Sequence, residues 1–452
     1  MLAARSALNT SRASRYLYVT KPREFLVRQK FNATHLIKRH NSWVADEYVI
    51  KGHKYIRDNW SNVTPAILSK IPRQLHLQNG HPISTLRALI ESHFSEFSHL
   101  NSLSPIVTTK QNFDDLGFGP EHPGRSKTDT YYLNEKTVLR THTSAHEVDV
   151  FQAGERRWLL TADVYRRDEI DRSHYPVFHQ MEGARVWGRT EGEMKTLAAE
   201  NAQRERELIA ADIIIEDDTR VGPKNPYQLE HNEEHAALVM ANLKHSLNSM
   251  ILKLFGGRTR GEPLKVRWIE AEFPWTTPSF EVEVWFQGKW LEILGCGVVK
   301  EPTLLRGGVN ESIAWAFGLG LERIAMVLYS IPDIRLFWST DERFLNQFTQ
   351  GKISTFQPFS KYPICWRDIS FWKSDQFHEN DLCDIVRDAA QDLVEDVILT
   401  DKFVHPKTNK TSLCYRVNYR SMERSLTNDE VNVLHQAIEQ RVTQELGVEI
   451  RR

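Results

Sequence analysis

Cysteine is scarce in this 452-residue chain: Cys296, Cys365, Cys383 and Cys414 stand far apart, with no Cys-x-x-Cys pair. That spacing indicates neither a zinc site nor a disulfide framework. Long apolar runs are missing as well, and no stretch approaches the roughly 18–20 residues of a membrane span. Charge of one sign is not in excess, with 58 Lys plus Arg against 59 Asp plus Glu. The overall balance therefore makes no case for a polyanionic partner and none against a local basic face. Internal repeats and low-complexity tracts are absent. So are the G-x-x-x-x-G-K-[ST] phosphate loop and the G-x-S-x-G elbow, which sets aside P-loop and hydrolase readings. His142 and His146 are four apart, but Thr143 follows the first and Ala145 precedes the second. Neither metalloprotease pattern is met.

What is present is a soluble globular balance, 26% charged and 40% hydrophobic, on a chain long enough for two or three domains. The first forty residues carry nine Lys and Arg, from Arg5 to Arg39, against one acid, Glu24. An Arg-rich, acid-poor leader without an apolar h-region reads as an organelle transit peptide rather than a secretory signal. The centre of the chain is Trp158 to Gly183. An apolar strand breaks into a loop crowded with Arg166, Arg167, Asp168, Glu169, Asp171 and Arg172, then returns as a strand bearing Phe178, His179, Gln180 and Glu182. Charged hairpin loops are usually only solvated. Here polar groups continue up the returning strand, where burial needs a reason. An arginine facing an aromatic ring and a carboxylate suits a planar, anionic, amine-bearing ligand, such as a nucleotide with an amino acid.

Around this hairpin the periodicity predicts a helix over Pro82–Phe97, an edge strand at Leu103–Thr109, and a helix after Val138–Glu147 with Ser144 and Glu147 as a capping box. Residues 192–220 read as surface helix with an acidic end, and 229–255 as a helix stopped by Gly256-Gly257. Phe280, Val282, Val284 and Phe286 alternate at the strand period. In the run Ala316–Ile334, Leu321, Ile324, Ala325 and Leu328 share a helical face. Gly318-Leu-Gly320 lacks the third glycine of a dinucleotide fingerprint, and its glycines alone read as helix-packing residues. Arg323, about 200° around the helix from Leu321, points away from the core and could hold a polyphosphate. The order of elements is α+β, with helices flanking a mostly antiparallel sheet. After a boundary near 351–358 the pattern becomes β-α-β-β-α-β, the ferredoxin-like split unit, with Thr427 and Glu430 capping its last helix. On its strand Leu413–Arg420, alternation puts Arg416, Asn418 and Arg420 on one face.

Together these stretches resemble a class II aminoacyl-tRNA synthetase. The helix with Leu-Ser-Pro resembles its motif 1, VYRRD…HYPVFHQMEG its motif 2 and GLGLER its motif 3. RTHTSAH, YPVFHQ, FPWTTPSF and AFGLGLERIAM are similar to the phenylalanyl-tRNA synthetase family, and YPICWRDISFW…VEIR to its ferredoxin-fold anticodon-binding domain. One chain with both, behind a basic leader, resembles the single-chain mitochondrial form. The resemblance implies a transit peptide over 1–40, an N-terminal extension over 41–81, a catalytic domain over 82–340, a linker over 341–357 and the anticodon domain over 358–452. It implies ATP-dependent ligation of phenylalanine to tRNA(Phe) in a mitochondrial matrix, through a phenylalanyl-adenylate, by a monomer with Mg²⁺ and no membrane partner. Carried onto this sequence, Arg166 and Arg323 serve the chemistry. Ser173, His174, Tyr175, Phe178 and Glu292 join them on ATP, and Glu292 also holds the metal. Phenylalanine lies among His142, Ser144, Ala145, His146, Glu147, Gln180, Glu182, Phe273, Trp275, Cys296, Gly297, Ala316 and Phe317. Arg416 and Arg420 contact tRNA. Asp168 stands where motif 2 usually has Glu, and Phe273-Pro274-Trp275 where the family has a paired-Phe loop. No ATP or phenylalanine residue falls in the last domain, so its removal is expected to spare pyrophosphate exchange. A catalytically silent, RNA-binding relative of the synthetases is the rival reading.

Overall fold

The computed structural model describes residues 47–259, 261–358 and 362–451. The expected leader, 1–40, lies outside them. Helix α1 (Pro82–Glu91) starts on a proline at its first turn, with His81 accepting from the backbone of Ile83. It ends six residues short of the predicted Phe97, and β1 (Ser98–Leu100) begins almost at once. The central hairpin forms as read: β2 (Arg157–Tyr165) pairs antiparallel with β3 (Val177–Gly188). Helix α2 (Glu191–Ile209) stops before the acidic end expected of it, and β4 (Ile213–Asp217) follows. Three β-branched isoleucines find a free sheet edge there, and tertiary pairing overrides the helical reading. Helix α3 (Glu233–Phe255) ends where the Gly-Gly signal stands. Then come β5 (Leu264–Phe273), β6 (Thr276–Phe286), β7 (Lys289–Val299) and β8 (Ser312–Gly320), and helix α4 (Leu321–Tyr329).

The eight strands form one sheet in the order β1-β2-β3-β8-β7-β6-β5-β4, antiparallel except at its two edges. One face packs on α1, α3 and α4. Val239, Leu243, Leu247 and Ile251 of α3 are fully buried there with Val266, Phe280 and Val282. The indole N–H groups of Trp315 and Trp268 donate to Asn242 and Asn248 of α3, each at 3.0 Å, so both buried indoles are satisfied. On the other face Trp158, Leu160, Ala184, Val186 and Ala314 make a second, smaller core. The ligand cavity opens on that face. Among the described residues no helix is long and apolar enough to cross a membrane.

Two local expectations fail for one reason, the position of a turn. Ser144 and Glu147 make no capping box. Thr143–His146 form a 3₁₀ turn, and the helix Glu147–Gln152 begins without a side-chain cap. Gly318 and Gly320 are not helix-packing residues. They belong to β8, and α4 begins only at Leu321.

The C-terminal part adds β9 (Cys365–Trp372), α5 (Glu379–Ala390), β10 (Val394–Val404), β11 (Thr411–Tyr419), α6 (Asn428–Leu446) and β12 (Glu449–Ile450). Its sheet order, β10-β11-β9-β12, is that of the ferredoxin-like split unit. The capping box of Thr427 and Glu430 is formed. Ile369, Phe371, Tyr415 and Val417 face the helices, while Trp366, Asp368 and Arg416 stand on the free face. The domain is not separate from the central hairpin. Ile170, from the loop between β2 and β3, is buried in the C-terminal core, and its carbonyl accepts from the backbone of Val397 at 3.0 Å. Buried Asp384 of α5 accepts from Arg167, Arg387 and the hydroxyl of Tyr131. Arg387 in turn donates to the carbonyl of Asp168 at 2.8 Å.

Candidate active site

A cavity of about 460 Å³ sits on the sheet where β3, β8 and β7 run side by side. Its floor is bare backbone. Gly318 of β8 lies in register with Gly295 of β7 on one side and Glu182 of β3 on the other. A Cβ on Gly318 would meet nothing within 4 Å, so it faces the open space. A Cβ on Gly295 would come within 2.6 Å of the Phe273 ring, so glycine is what lets that ring close over the strand. The motif read as a packing device is therefore the flat bed of the site.

Around this bed the fold gathers Arg166, His142, Ser144, Gln180, Glu182, Phe273, Trp275, Glu292, Cys296, Ala316 and Phe317. Period-two alternation on β3 points Phe178, Gln180 and Glu182 to the cavity face. Arg166 ends β2. Its Nε donates to the carbonyl of Thr141 at 2.8 Å, and its guanidinium lies 5.3 Å from the Phe178 ring centroid. His142 packs in a cluster with two aromatics, its centroid 5.7 Å from Phe118 and 5.7 Å from Trp275, which lie 5.6 Å from each other. Its Nε2 meets the carbonyl of Asn112 at 3.0 Å. Burial and then Arg166 push its pKa down to about 3, so the ring stays neutral. Nε2 must then be the donor, which leaves Nδ1 as a buried acceptor with no partner among the described residues. Glu182 is the opposite case. Burial raises its pKa to about 7 against hydrogen bonds from Thr143 and Ser144, and one of its oxygens has no partner among the described residues. Cys296 is a buried neutral thiol, its pKa raised by burial.

At the cavity's outer rim Arg323 reaches Glu292 at 3.3 Å, both about half exposed. The remaining sequence candidates lie outside the cavity lining. Ala145, His146 and Glu147 are buried behind it. Of the residues from Thr143 to Glu147, Thr143 and Ser144 line the cavity. His146 instead meets Arg140 at 2.9 Å. Glu147 is fully buried, and burial then Glu182 raise its pKa well above the usual carboxylate range. Gly297 is a packing glycine, since a Cβ would come within 2.5 Å of the Pro278 carbonyl. Ser173 and His174 lie on the loop, both bonded to Asp171, which raises the His174 pKa. Tyr175 faces away, stacked on Trp338 with its hydroxyl on Asp392. Arg416 stands on the free face of the C-terminal sheet. Arg420 follows the end of β11 and turns to fully buried Glu395 at 2.9 Å, which also takes Arg172 at 2.7 Å.

Sequence reasoning missed Phe118, His122, Asp129 and Glu281, which also line the cavity. Glu281 was findable, because it alternates with Phe280 and Val282, which face the core. Phe118 and His122 come from an irregular loop with no period to follow.

The tRNA synthetases class II core domain (F) model matches residues 67–205 and 224–348. The ferredoxin-fold anticodon binding domain model matches 360–451. The mitochondrial phenylalanine–tRNA ligase of Saccharomyces cerevisiae is 45% identical over 468 residues, covering 94% of this chain and 100% of that protein. That of Mus musculus is 47% identical over 416 residues, 89% of this chain and 88% of the mouse protein. The chloroplastic/mitochondrial phenylalanine–tRNA ligase of Arabidopsis thaliana is 45% identical over 400 residues, 87% of this chain and 83% of the plant one.

Proposed function

This chain belongs to the phenylalanine–tRNA ligase family, with that family's class II core, and from that membership we propose that it joins phenylalanine to tRNA(Phe) for mitochondrial translation. The observation that carries the reading is the convergence of Arg166, Gln180, Glu182, His142 and Ser144 over the Gly295–Gly318 bed, with Arg323 and Glu292 at the rim. Phenylalanine would lie with its ring against Phe273, Trp275 and Ala316 and its ammonium toward Glu182 and Gln180. ATP would lie outward, its adenine on Phe178 and its phosphates between Arg166 and Arg323.

The chemistry asks for positioning and charge neutralisation rather than a protein nucleophile. A carboxylate oxygen of phenylalanine attacks the α-phosphorus. The bond to the bridging oxygen of the β-phosphate breaks, and pyrophosphate leaves. Arg166 beside the α-phosphate offsets the charge building there. The 2′-hydroxyl at the tRNA end then attacks the acyl carbon and AMP departs. A divalent ion fits the rim. Glu281 lies near Glu292 and Glu283, whose charges add to burial in raising its pKa. Crowded carboxylates of this kind, completed by substrate phosphates, suit Mg²⁺. Glu292 and Glu281 would hold it, and it would neutralise phosphate charge.

The leader would direct the chain to the matrix, and the enzyme would act as a monomer. Arg416, on the C-terminal free face, would meet the anticodon stem-loop. Pyrophosphate exchange assayed with each of the twenty amino acids tests the central claim: exchange should depend on phenylalanine. tRNA binding without exchange for any amino acid would instead support a silent RNA-binding relative.

A further inference from the structure

The sheet face that carries the cavity continues past Glu292. Trp290 lies two residues before it on the same face of β7, a rise of roughly 7 Å. It is in register with Trp285 of β6. The two rings meet edge to face with centroids 5.5 Å apart, and Trp285 is 39% exposed. Arg267 of β5 lays its guanidinium over Trp290, 4.3 Å from the ring centroid. Glu283 fixes it there, accepting from Nε at 2.8 Å. None of these side chains lines the cavity or belongs to the phenylalanine and ATP groups named above.

The same three-part device stands on the free face of the C-terminal sheet. Arg416 lies 4.1 Å over Trp366, which is 51% exposed, and Asp368 clamps it through two bonds of 2.8 Å. In both places a carboxylate holds a guanidinium over a part-exposed indole. The result is a rigid aromatic platform with its charge already placed. Such platforms stack unpaired bases of any identity.

We propose that Trp285, Trp290 and Arg267 form a second RNA-stacking platform, which takes the single-stranded 3′ end of the tRNA just behind its acyl-accepting nucleotide. The proposal rests on the tRNA-charging reading above. That reading brings the terminal hydroxyl to the cavity, so the nucleotides before it must cross the adjoining surface. The platform is continuous with the cavity face and about one nucleotide beyond Glu292. Lys265, on the same face of β5 as Arg267, and exposed Lys289, the first residue of β7, add positive charge. Glu283, Glu292 and Glu216 are acids nearby, so base stacking rather than net charge would supply most of the hold.

The test uses the full chain with Trp285→Ala, and with Trp285→Ala combined with Trp290→Leu. Phenylalanine-dependent pyrophosphate exchange should stay at the wild-type rate, which also certifies folding. The KM for tRNA should rise on the order of 10-fold or more. Wild-type protein should bind intact tRNA more tightly than tRNA trimmed of its unpaired 3′ nucleotides, and the variants should lose that preference. A photoreactive base in the 3′ tail should crosslink wild-type protein at Trp285 or Trp290, a measurement that needs no variant. Unchanged tRNA KM and an undiminished preference for the intact tail would overturn the proposal. So would crosslinks that map elsewhere, or a wild-type dimer that the Trp285 variant converts to monomer, which would make the patch a subunit contact. If wild-type protein charged no tRNA at all, the failure would belong to the functional reading instead.

Discussion

Asp384→Ala probes the contact between the C-terminal domain and the loop of the central hairpin. The Asp384 carboxylate is about 5% exposed and accepts from Nε of Arg167 at 2.5 Å, Nη1 of Arg387 at 2.6 Å and the Tyr131 hydroxyl at 2.8 Å. Removing one partner of a buried charge network costs about 3–5 kcal/mol when the other charge is stranded. The stranding here is partial. Arg167 keeps Asp381 at 2.9 Å, and Arg387 keeps the Asp168 carbonyl at 2.8 Å. Tyr131 loses the one hydrogen-bond acceptor its hydroxyl has among the described residues. A net loss of about 3 kcal/mol follows, near the lower end of that range. It should fall on docking rather than on either core, because neither sheet includes Asp384. Ile170 would then leave its seat, and with it the loop that carries His174. Hydrogen exchange of residues 166–176 and 394–397 should speed up together. The KM for ATP in pyrophosphate exchange should rise while that for phenylalanine changes little. This revises the expectation that the last domain is dispensable for exchange. A melting temperature within a degree of wild type, with loop protection unchanged, would refute the reasoning. Arg167→Ala with Asp384→Ala should cost clearly less than the sum of the single changes.

Three further outcomes follow from the cavity and the C-terminal face. Ala316→Gly should raise activity toward para-substituted phenylalanines, because Ala316 lines the cavity and the proposed pose sets the phenylalanine ring against it; unchanged discrimination would sink that placement. Glu182, with its pKa raised to about 7, should make the KM for phenylalanine fall as pH rises through about 7, where the carboxylate forms, and Glu182→Gln should flatten that profile. The sign for stability is opposite: a raised folded-state carboxyl pKa means the native state binds the extra proton between about 4.5 and 7, so its contribution falls across that window as pH rises, as denaturant midpoints of wild type and Glu182→Gln would show. Arg416→Ala should raise the tRNA KM with little change in stability, because its pair with Asp368 is exposed, whereas Arg420→Ala should chiefly lower stability, because it weakens the pairing of buried Glu395; equal melting temperatures for the two variants would contradict this.

Where local patterns repeat, the residues alone settled the structure. The β2–β3 hairpin, the alternation along β6, the split β-α-β-β-α-β order and the Thr427–Glu430 cap are each written in neighbouring side chains, and each forms as read. The long motifs were equally legible, because Arg166, Gln180, Glu182 and Arg323 occupy fixed steps on strand and helix. Tertiary structure decided what local pattern cannot hold. The isoleucines of β4 became a strand because an edge was free beside β5. Gly318 became cavity floor because β7 presents Gly295 opposite it. Tyr175 and Arg420 left their expected faces because Asp392 and Glu395 lay within reach. Ile170 reads as an ordinary loop residue, and only the packing of the C-terminal domain against the hairpin buries it. Periodicity reports which side of an element a residue takes. What that side then meets depends on elements hundreds of residues away.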